Sequence, residues 1–308
     1  MLLKDRITSI QGPGDDASFH ASWKGDFIES VLISDVGKKR RNNEDSCALY
    51  VPLEENLLQS RGMLFAVADG MGGASAGEYA SRMALEYASE RYYENPTMTA
   101  IPQQMKKAVE HANALIFRES ERKLEYAGMG TTLSAMAILG DWAYIAQVGD
   151  SRLYLSRQNE GLLQITYDHS LVAEQLRSGL IDETGAQNHA LRNLITRAVG
   201  IGEDIEVDLF ALGLKECDTL LLCSDGLSNM VPDQVISEYL QQDALEEASL
   251  GLLQHALDAG GQDNITLVTV RIIDAPPCTK YQPGARLAPP SKGGLFSRIL
   301  SGLRRRDS

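Results

Sequence analysis

Met63-Leu64-Phe65-Ala66-Val67-Ala68-Asp69-Gly70-Met71-Gly72-Gly73 is an apolar run that ends abruptly in an acid and a glycine cluster. Uncharged residues bounded by a turn signal read as a buried strand, and the helical pattern that follows puts Asp69 where the strand stops. A carboxylate there is costly unless a metal ion, a hydrogen-bond network or a salt bridge compensates it. The arrangement recurs at Thr219-Leu220-Leu221-Leu222-Cys223-Ser224-Asp225-Gly226. It appears nearly in mirror image at Gln262-Asp263-Asn264, before Ile265-Thr266-Leu267-Val268-Thr269-Val270. One Asp-Gly after a strand is only a turn. Three such ends, with Asn43-Glu44-Asp45 upstream, suggest a cluster of hard oxygen ligands that suits Mg²⁺ or Mn²⁺ better than zinc. A dinucleotide-binding loop is the competing reading. It fails because Gly70-Met71-Gly72-Gly73-Ala74-Ser75 lacks the third glycine of that fingerprint, and Asp69 would repel a pyrophosphate.

Upstream, Phe27 to Ser34 alternates as a first strand and delivers the polar block Asp35 to Asp45. Residues 1–25, broken by Gly12-Pro13-Gly14, read as a loosely attached extension. Downstream, Ala76 to Tyr92 and Gln103 to Arg122 carry apolar residues at helical spacing. Thr131–Ile138, Trp142–Val148 and Ser151–Leu155 are expected to form an antiparallel meander. Asp168-His169-Ser170 caps a further helix, with Asp168 and His169 serving as cap and packing. Asp150 and Arg152 read as fixing a turn. The polar segment Ile181–Arg192 is a candidate flap. Paired helices flanking antiparallel strands indicate a layered α+β sandwich and exclude a parallel βαβ fold.

The 308 residues can bury one large core. Cys47, Cys217, Cys223 and Cys278 have no metal-binding spacing and are expected to be reduced. The net charge of −13 disfavours nonspecific nucleic-acid binding. No stretch approaches a membrane span, and the start lacks the apolar core of a secretory signal, so a cytoplasmic protein is expected.

In order along the chain, Gly37-x-x-Arg40-x-x-Asn43-Glu44-Asp45, Val67-Ala68-Asp69-Gly70-Met71-Gly72-Gly73, Gly128-Met129-Gly130-Thr131-Thr132, Val148-Gly149-Asp150-Ser151-Arg152, Ile195-Thr196-Arg197-Ala198-Val199-Gly200, Cys223-Ser224-Asp225-Gly226-Leu227 and Gln262-Asp263-Asn264-Ile265-Thr266 resemble the bacterial metal-dependent protein serine/threonine phosphatases of type 2C, the PPM family. The resemblance covers roughly Ile33 to Val270. It implies a four-layer αββα sandwich, two mainly antiparallel β-sheets between helical layers, with two Mn²⁺ or Mg²⁺ ions at one edge. Asp69 then matches the carboxylate that bridges both ions, with the Gly70 carbonyl on one of them. Asp225 and Asp263 match the remaining ligands of the first ion, Glu44 matches a ligand of the second, and Asp45 holds a coordinated water. Arg40 matches the arginine that receives the substrate phosphate. Many members supply acids for a third ion where this chain has Ala127 and Asn229, so a third site should be weak or differently built.

Two divalent cations ~3.5–4 Å apart can share a water and acidify it into a hydroxide that attacks phosphorus in line. The implied function is hydrolysis of phosphoserine and phosphothreonine in proteins, opposing a serine/threonine kinase. Animal and plant relatives carry a histidine where Met71 stands, so the leaving group is expected to take its proton from a metal-bound water or from His189, which is also a candidate substrate contact. Arg197 reads as structural. The alternatives are a pseudophosphatase that binds phosphorylated partners without turnover, and a phosphatase of small metabolites.

The expected domain order is an extension over 1–25, a phosphatase domain over 26–273, and a tail over 274–308. That tail is proline-rich to Ser291 and carries a net +5 from residue 273 onward, which leaves −18 on the rest. It is expected to be an extended linker. Beyond it, Leu295, Phe296, Ile299, Leu300 and Leu303 share one helical face beside Arg298 and the terminal arginines. Residues 294–306 therefore suit an acidic membrane surface or a groove on a partner.

Overall fold

The computed structural model describes residues 6–14, 17–94, 99–182, 185–186, 189, 191, 194–274 and 277–288. The expected docking helix over 294–306 lies outside them. The early strands are β1 (Ile7–Gly12), β2 (Ser18–Lys24), β3 (Ile28–Asp35), β4 (Asp45–Pro52) and β5 (Met63–Met71). After them come β6 (Gly130–Thr131), β7 (Leu133–Leu139), β8 (Trp142–Val148), β9 (Arg152–Arg157) and β10 (Gly161–Gln164). The last are β11 (Asp208–Gly213), β12 (Thr219–Cys223), β13 (Ile265–Ile272) and β14 (Arg286–Leu287). The described helices are α1 (Glu55–Arg61), α2 (Ala74–Glu94), α3 (Ile101–Arg122), α4 (Leu171–Arg177), α5 (Asp225–Ser228), α6 (Asp233–Leu240) and α7 (Leu245–Asp258).

One sheet has the order β1-β4-β5-β7-β8-β11-β14 with β6 attached to β5, and the other β10-β9-β12-β13-β3-β2. Every pairing is antiparallel except β11 with β14. Strand residues alternate between two buried layers, and for this reason the decisive stretches read as unbroken apolar runs. Phe65 and Val67 of β5 meet Leu220, Leu222, Val268 and Val270 between the sheets. Leu64, Ala66 and Ala68 point the other way, against Ala80, Ala84, Met105 and Ala112 of α2 and α3. On the far side Leu221, Cys223 and Leu267 pack under Ile236 and Leu252 of α6 and α7. The α+β class and the order helix, sheet, sheet, helix are as expected.

Three local expectations are corrected. Residues 7–12 and 18–24 are not a loose extension: β1 pairs with β4 in one sheet and β2 with β3 in the other, so each sheet gains an edge strand. The meander is two strands long. After β8 the chain turns at Gly149, φ +97°, and crosses to the other sheet, where β9 pairs with β10 and β12. A left-handed residue followed by Asp150 and Ser151 makes a corner between sheets as readily as a hairpin, and local sequence does not distinguish the two. Finally, part of the expected linker is docked. The Thr279 N–H donates to Asp141 Oδ1 at 2.7 Å, and Tyr281 packs on Trp142 with ring centroids 4.9 Å apart. Gln282 Oε1 accepts the N–H of Ile101 at 2.6 Å, satisfying a donor in the first turn of α3 that has no partner within the helix.

Candidate active site

The carboxylates come together because both sheets end at the same edge of the sandwich. Antiparallel register sets Asp45 opposite Asp69 on β4 and β5. In the other sheet Cys223 pairs with Leu267, which brings Asp225, just past β12, beside Asp263, just before β13. A Cβ on Gly226 would collide with the Asn264 carbonyl, so only glycine permits this approach. Ser224 stitches the sheets together: its Oγ donates to Asp45 Oδ2 at 2.7 Å and accepts from the Thr266 N–H at 3.0 Å. Asn264 performs a similar service for the polar block. Its Oδ1 accepts from the Glu44 N–H at 2.8 Å, and its Nδ2 donates to the carbonyls of Val36 and Asn42. Thr132 holds the backbone of Asp69, with Oγ1 accepting the Asp69 N–H at 2.9 Å.

Burial and mutual repulsion raise the proton affinities of Glu44, Asp45, Asp69 and Asp225. The Asp45 carboxyl is pushed up to about 7 by burial, against hydrogen bonds from Ser224 and Thr266, with Asp225 and Asp263 adding to the rise. Asp225 is pushed up to about 6 by burial and by Asp263. Asp69 lies well above the carboxylate range, through burial first and then Asp45, Asp225, Asp150 and Asp263. Glu44 is raised by burial against the opposing pull of Arg40. The guanidinium of Arg40 donates to Asp263 Oδ2 at 2.7 Å and stays half exposed, so it faces the site and solvent together.

The sequence-derived set Arg40, Glu44, Asp45, Asp69, Gly70, Asp225 and Asp263 thus shares one edge of the molecule. Gly70 gives its N–H to the Glu44 carbonyl at 3.1 Å. A Cβ on Gly77 would run into the Glu44 carboxylate, so α2 approaches this edge through glycine. Among the described residues no three carboxylate, imidazole or thiol groups converge on a single point. Arg40 engages Asp263, and Asn229 Nδ2 donates to Asp225 Oδ2 at 3.0 Å. The donor set is nevertheless oxygen throughout and in surplus over the one guanidinium of Arg40, which fits hard divalent cations.

Asp150, read from sequence as fixing a turn, does lie in the turn after β8, with the acid cluster as its electrostatic neighbour. It sits at the crossover between the sheets and is pushed up to about 7 by burial, with Asp225 and Asp168 adding to the rise. Its Oδ1 is buried with no hydrogen-bond partner, a state that burial alone does not reward. The signal available in sequence was a fourth acid in a strand-end Gly-Asp pair. Ser224, Asn264 and Thr132 were also missed as scaffolding, because their roles depend on contacts between sheets. Ala127 and Asn229 supply no carboxylate, as expected.

Beside the cluster opens a cleft of about 780 Å³ lined by Asp150, Asp225 and Asp263, by residues of α4 and by Ala186. His189 is not among its lining residues, and its Nδ1 accepts the Leu191 N–H at 3.1 Å. Asp168 pairs with Arg152 at 2.7 Å, while Ser170, not Asp168, caps α4. The buried His169 accepts the Gly149 N–H on Nδ1 and so steadies the crossover. Arg197 bonds Asp208 and Glu206, a structural pairing.

The sequence profile of the Protein phosphatase 2C family matches residues 38–257. The serine/threonine phosphatase stp of Listeria monocytogenes serotype 4b (strain F2365) is 41% identical over 247 residues, 79% of this chain and 95% of that protein. The crystal structure of the Mycobacterium tuberculosis serine/threonine phosphatase PstP/Ppp superposes with a TM-score of 0.71 at 35% identity, covering 80% of this chain and 100% of that one. A PstP catalytic domain in complex with two manganese ions superposes with a TM-score of 0.69 at 34% identity, covering 80% and 99%.

Proposed function

This chain belongs to the protein phosphatase 2C family and is a serine/threonine protein phosphatase, and we propose that it hydrolyses phosphoserine and phosphothreonine esters with two divalent cations held by Glu44, Asp45, Asp69, Gly70, Asp225 and Asp263. The observation that carries the reading is the surplus of partly to fully buried carboxylates at the shared edge of two sheets, raised in proton affinity and faced by Arg40. The two manganese ions of the PstP catalytic domain support a divalent-metal requirement. Mn²⁺ and Mg²⁺ suit the oxygen donors equally.

The bound cations supply the acidified water for the attack and neutralise phosphoryl charge. The rest is done by the protein's own groups. Arg40 leaves Asp263 to take two oxygens of the phosphoryl group in a fork and fixes the ester for in-line displacement. Ser224 and Thr266 hold the Asp45 carboxylate in one orientation, while Thr132 and Glu44 fix the Asp69-Gly70 backbone, so the donors need little reorganisation. Asp150 would offer its unpartnered oxygen to a further ion or its waters, a third site built differently from that of the relatives with acids at the Ala127 and Asn229 places. His189, whose Nδ1 accepts the Leu191 N–H, acts on peptide entry.

Hydrolysis of a phosphothreonine peptide with Mn²⁺ or Mg²⁺, against chelator, tests this reading, and turnover that persists undiminished in chelator overturns it. The substrates are phosphorylated proteins, and the partner activity is a serine/threonine kinase. No helix among the described residues is long and apolar enough to cross a membrane. We propose peripheral attachment through residues 294–306. The docked segment reaches at least Ala288, whose N–H donates to the Ala211 carbonyl at 2.8 Å, so truncation belongs after that residue. The full chain should sediment with anionic liposomes at low salt and the chain ending at Ala288 should not; both staying in the supernatant rejects membrane binding.

A further inference from the structure

The cleft beside the carboxylates holds one positive charge that nothing in the phosphatase chemistry uses. Its charged walls are Asp150, Asp168, Asp225, Asp263, Arg152 and Arg177. Asp225 and Asp263 are pledged to cations, and Asp150 faces the same cluster. Arg152 is spent on Asp168, with Nε and Nη2 contacts between 2.7 and 3.1 Å, and gives Nη1 to Tyr154. Arg177 remains. Among the described residues it forms no ion pair; its Nη1 donates only to the Asp168 carbonyl, at 3.0 Å.

Arg177 is also held in place. Its guanidinium lies over the Tyr167 ring, 5.5 Å from the centroid, and Tyr167 meets Phe210 of β11 edge to face at 5.5 Å. A cation stacked on an aromatic ring anchored in the sheet loses less freedom on binding than one on a free side chain. Arg177 is exposed at the end of α4 and lines the same cleft as Asp225 and Asp263. A peptide whose phosphoresidue reaches those carboxylates shares its cleft with Arg177.

Resting on the phosphatase reading, we propose that Arg177 selects phosphoprotein substrates that carry a second anionic side chain near the phosphoresidue, either a carboxylate or another phosphoryl group. Both present two oxygens that a guanidinium grips with paired hydrogen bonds. The contact is a positioning and specificity contact remote from the reacting atoms. It therefore lowers KM for anionic peptides more than it raises kcat.

The test uses the full chain with Mn²⁺ and phosphothreonine peptides in which one flanking position at a time, on either side, is Ala, Glu or a non-hydrolysable phosphonate. The wild type should prefer at least one anionic position by roughly fivefold in kcat/KM, the scale of one charge-assisted hydrogen bond at a partly exposed site. R177A should bring that ratio to about one, R177K should retain part of it, and R177E should invert it. Preference for Glu alone assigns the site to carboxylates, and for the phosphonate alone to a second phosphate. An equal preference in wild type and R177A, or none at any position in wild type, overturns the proposal. Wild-type turnover of a small aryl phosphate with Mn²⁺ reports separately on the phosphatase reading: without it that reading fails, and with it only the role of Arg177 is in question.

Discussion

The two ends of the β9–β12 strand pair treat buried charge in opposite ways. At one end Arg157 and Asp218 form a completed pair, with contacts of 2.7 and 2.6 Å, and Asp218 is only 1% exposed. Arg157 also donates to the Gly213 carbonyl, and Asp218 accepts the Lys215 N–H. At the other end, where Cys223 faces Arg152 across the ladder, Asp225 joins Asp45, Asp69, Asp150 and Asp263 with far fewer donors than acceptors. The strands and the packing are shared. A balanced buried pair costs desolvation and returns geometry, whereas an unbalanced cluster costs stability and persists because something else brings the missing charge.

This contrast is open to direct attack, beginning with D225N. Losing one ligand at the deficient end should lower turnover of a phosphothreonine peptide by roughly 10²–10³-fold or more. The metal-free variant should melt no lower than the wild type, since a repelling charge has gone. A lower melting temperature in chelator would mean that Asp225 is a structural residue like Asp218.

At the balanced end the outcome reverses. R157A strands Asp218 in the interior and should cost about 3–5 kcal/mol of stability in urea unfolding, with turnover per folded molecule nearly intact. A loss of activity in fully folded protein would show that the far end is coupled to the site.

Acidity gives a third test. Asp45, Asp150 and Asp225 have folded pKa values of about 7, about 7 and about 6, above their unfolded values near 4. The folded state therefore binds protons more tightly. The stability these protons confer is full below about pH 4 and is lost as pH rises through about 6 to 7. In chelator, urea unfolding should give a stability lower at pH 7.5 than at pH 5, by an amount on the order of a few kcal/mol, and Mn²⁺ should remove the difference. A metal-free protein equally stable at both pH values would remove the contrast between the two ends.

The smallest effect is expected at His189. H189A should change peptide kcat/KM by less than about threefold, because Nδ1 is engaged within the flap and the ring does not line the cleft. A loss of orders of magnitude on peptide and aryl phosphate alike would restore the histidine as the proton donor considered from sequence.

What the sequence determined by itself is the set of strand-end acids and the layered α+β class. Asp69, Asp225 and Asp263 follow uninterrupted apolar runs or precede one, and a strand buried on both faces leaves that mark whatever its neighbours are. Asn43-Glu44-Asp45 was legible as a further block of oxygen ligands upstream, and Arg40 through the resemblance of the Gly37-x-x-Arg40 motif to the phosphatase family. Only the tertiary structure decided that Asp150 belongs to the cluster, because the crossover after β8 and a hairpin have the same local turn chemistry. It alone decided that β1 and β2 complete two sheets and that Tyr281 and Gln282 dock on the body, since edge pairing and capping draw on backbone groups that every residue carries. Ser224 and Asn264 belong to this second kind. A serine or an asparagine acquires a role only when folding brings it against Asp45 or Glu44, 179 and 220 residues away.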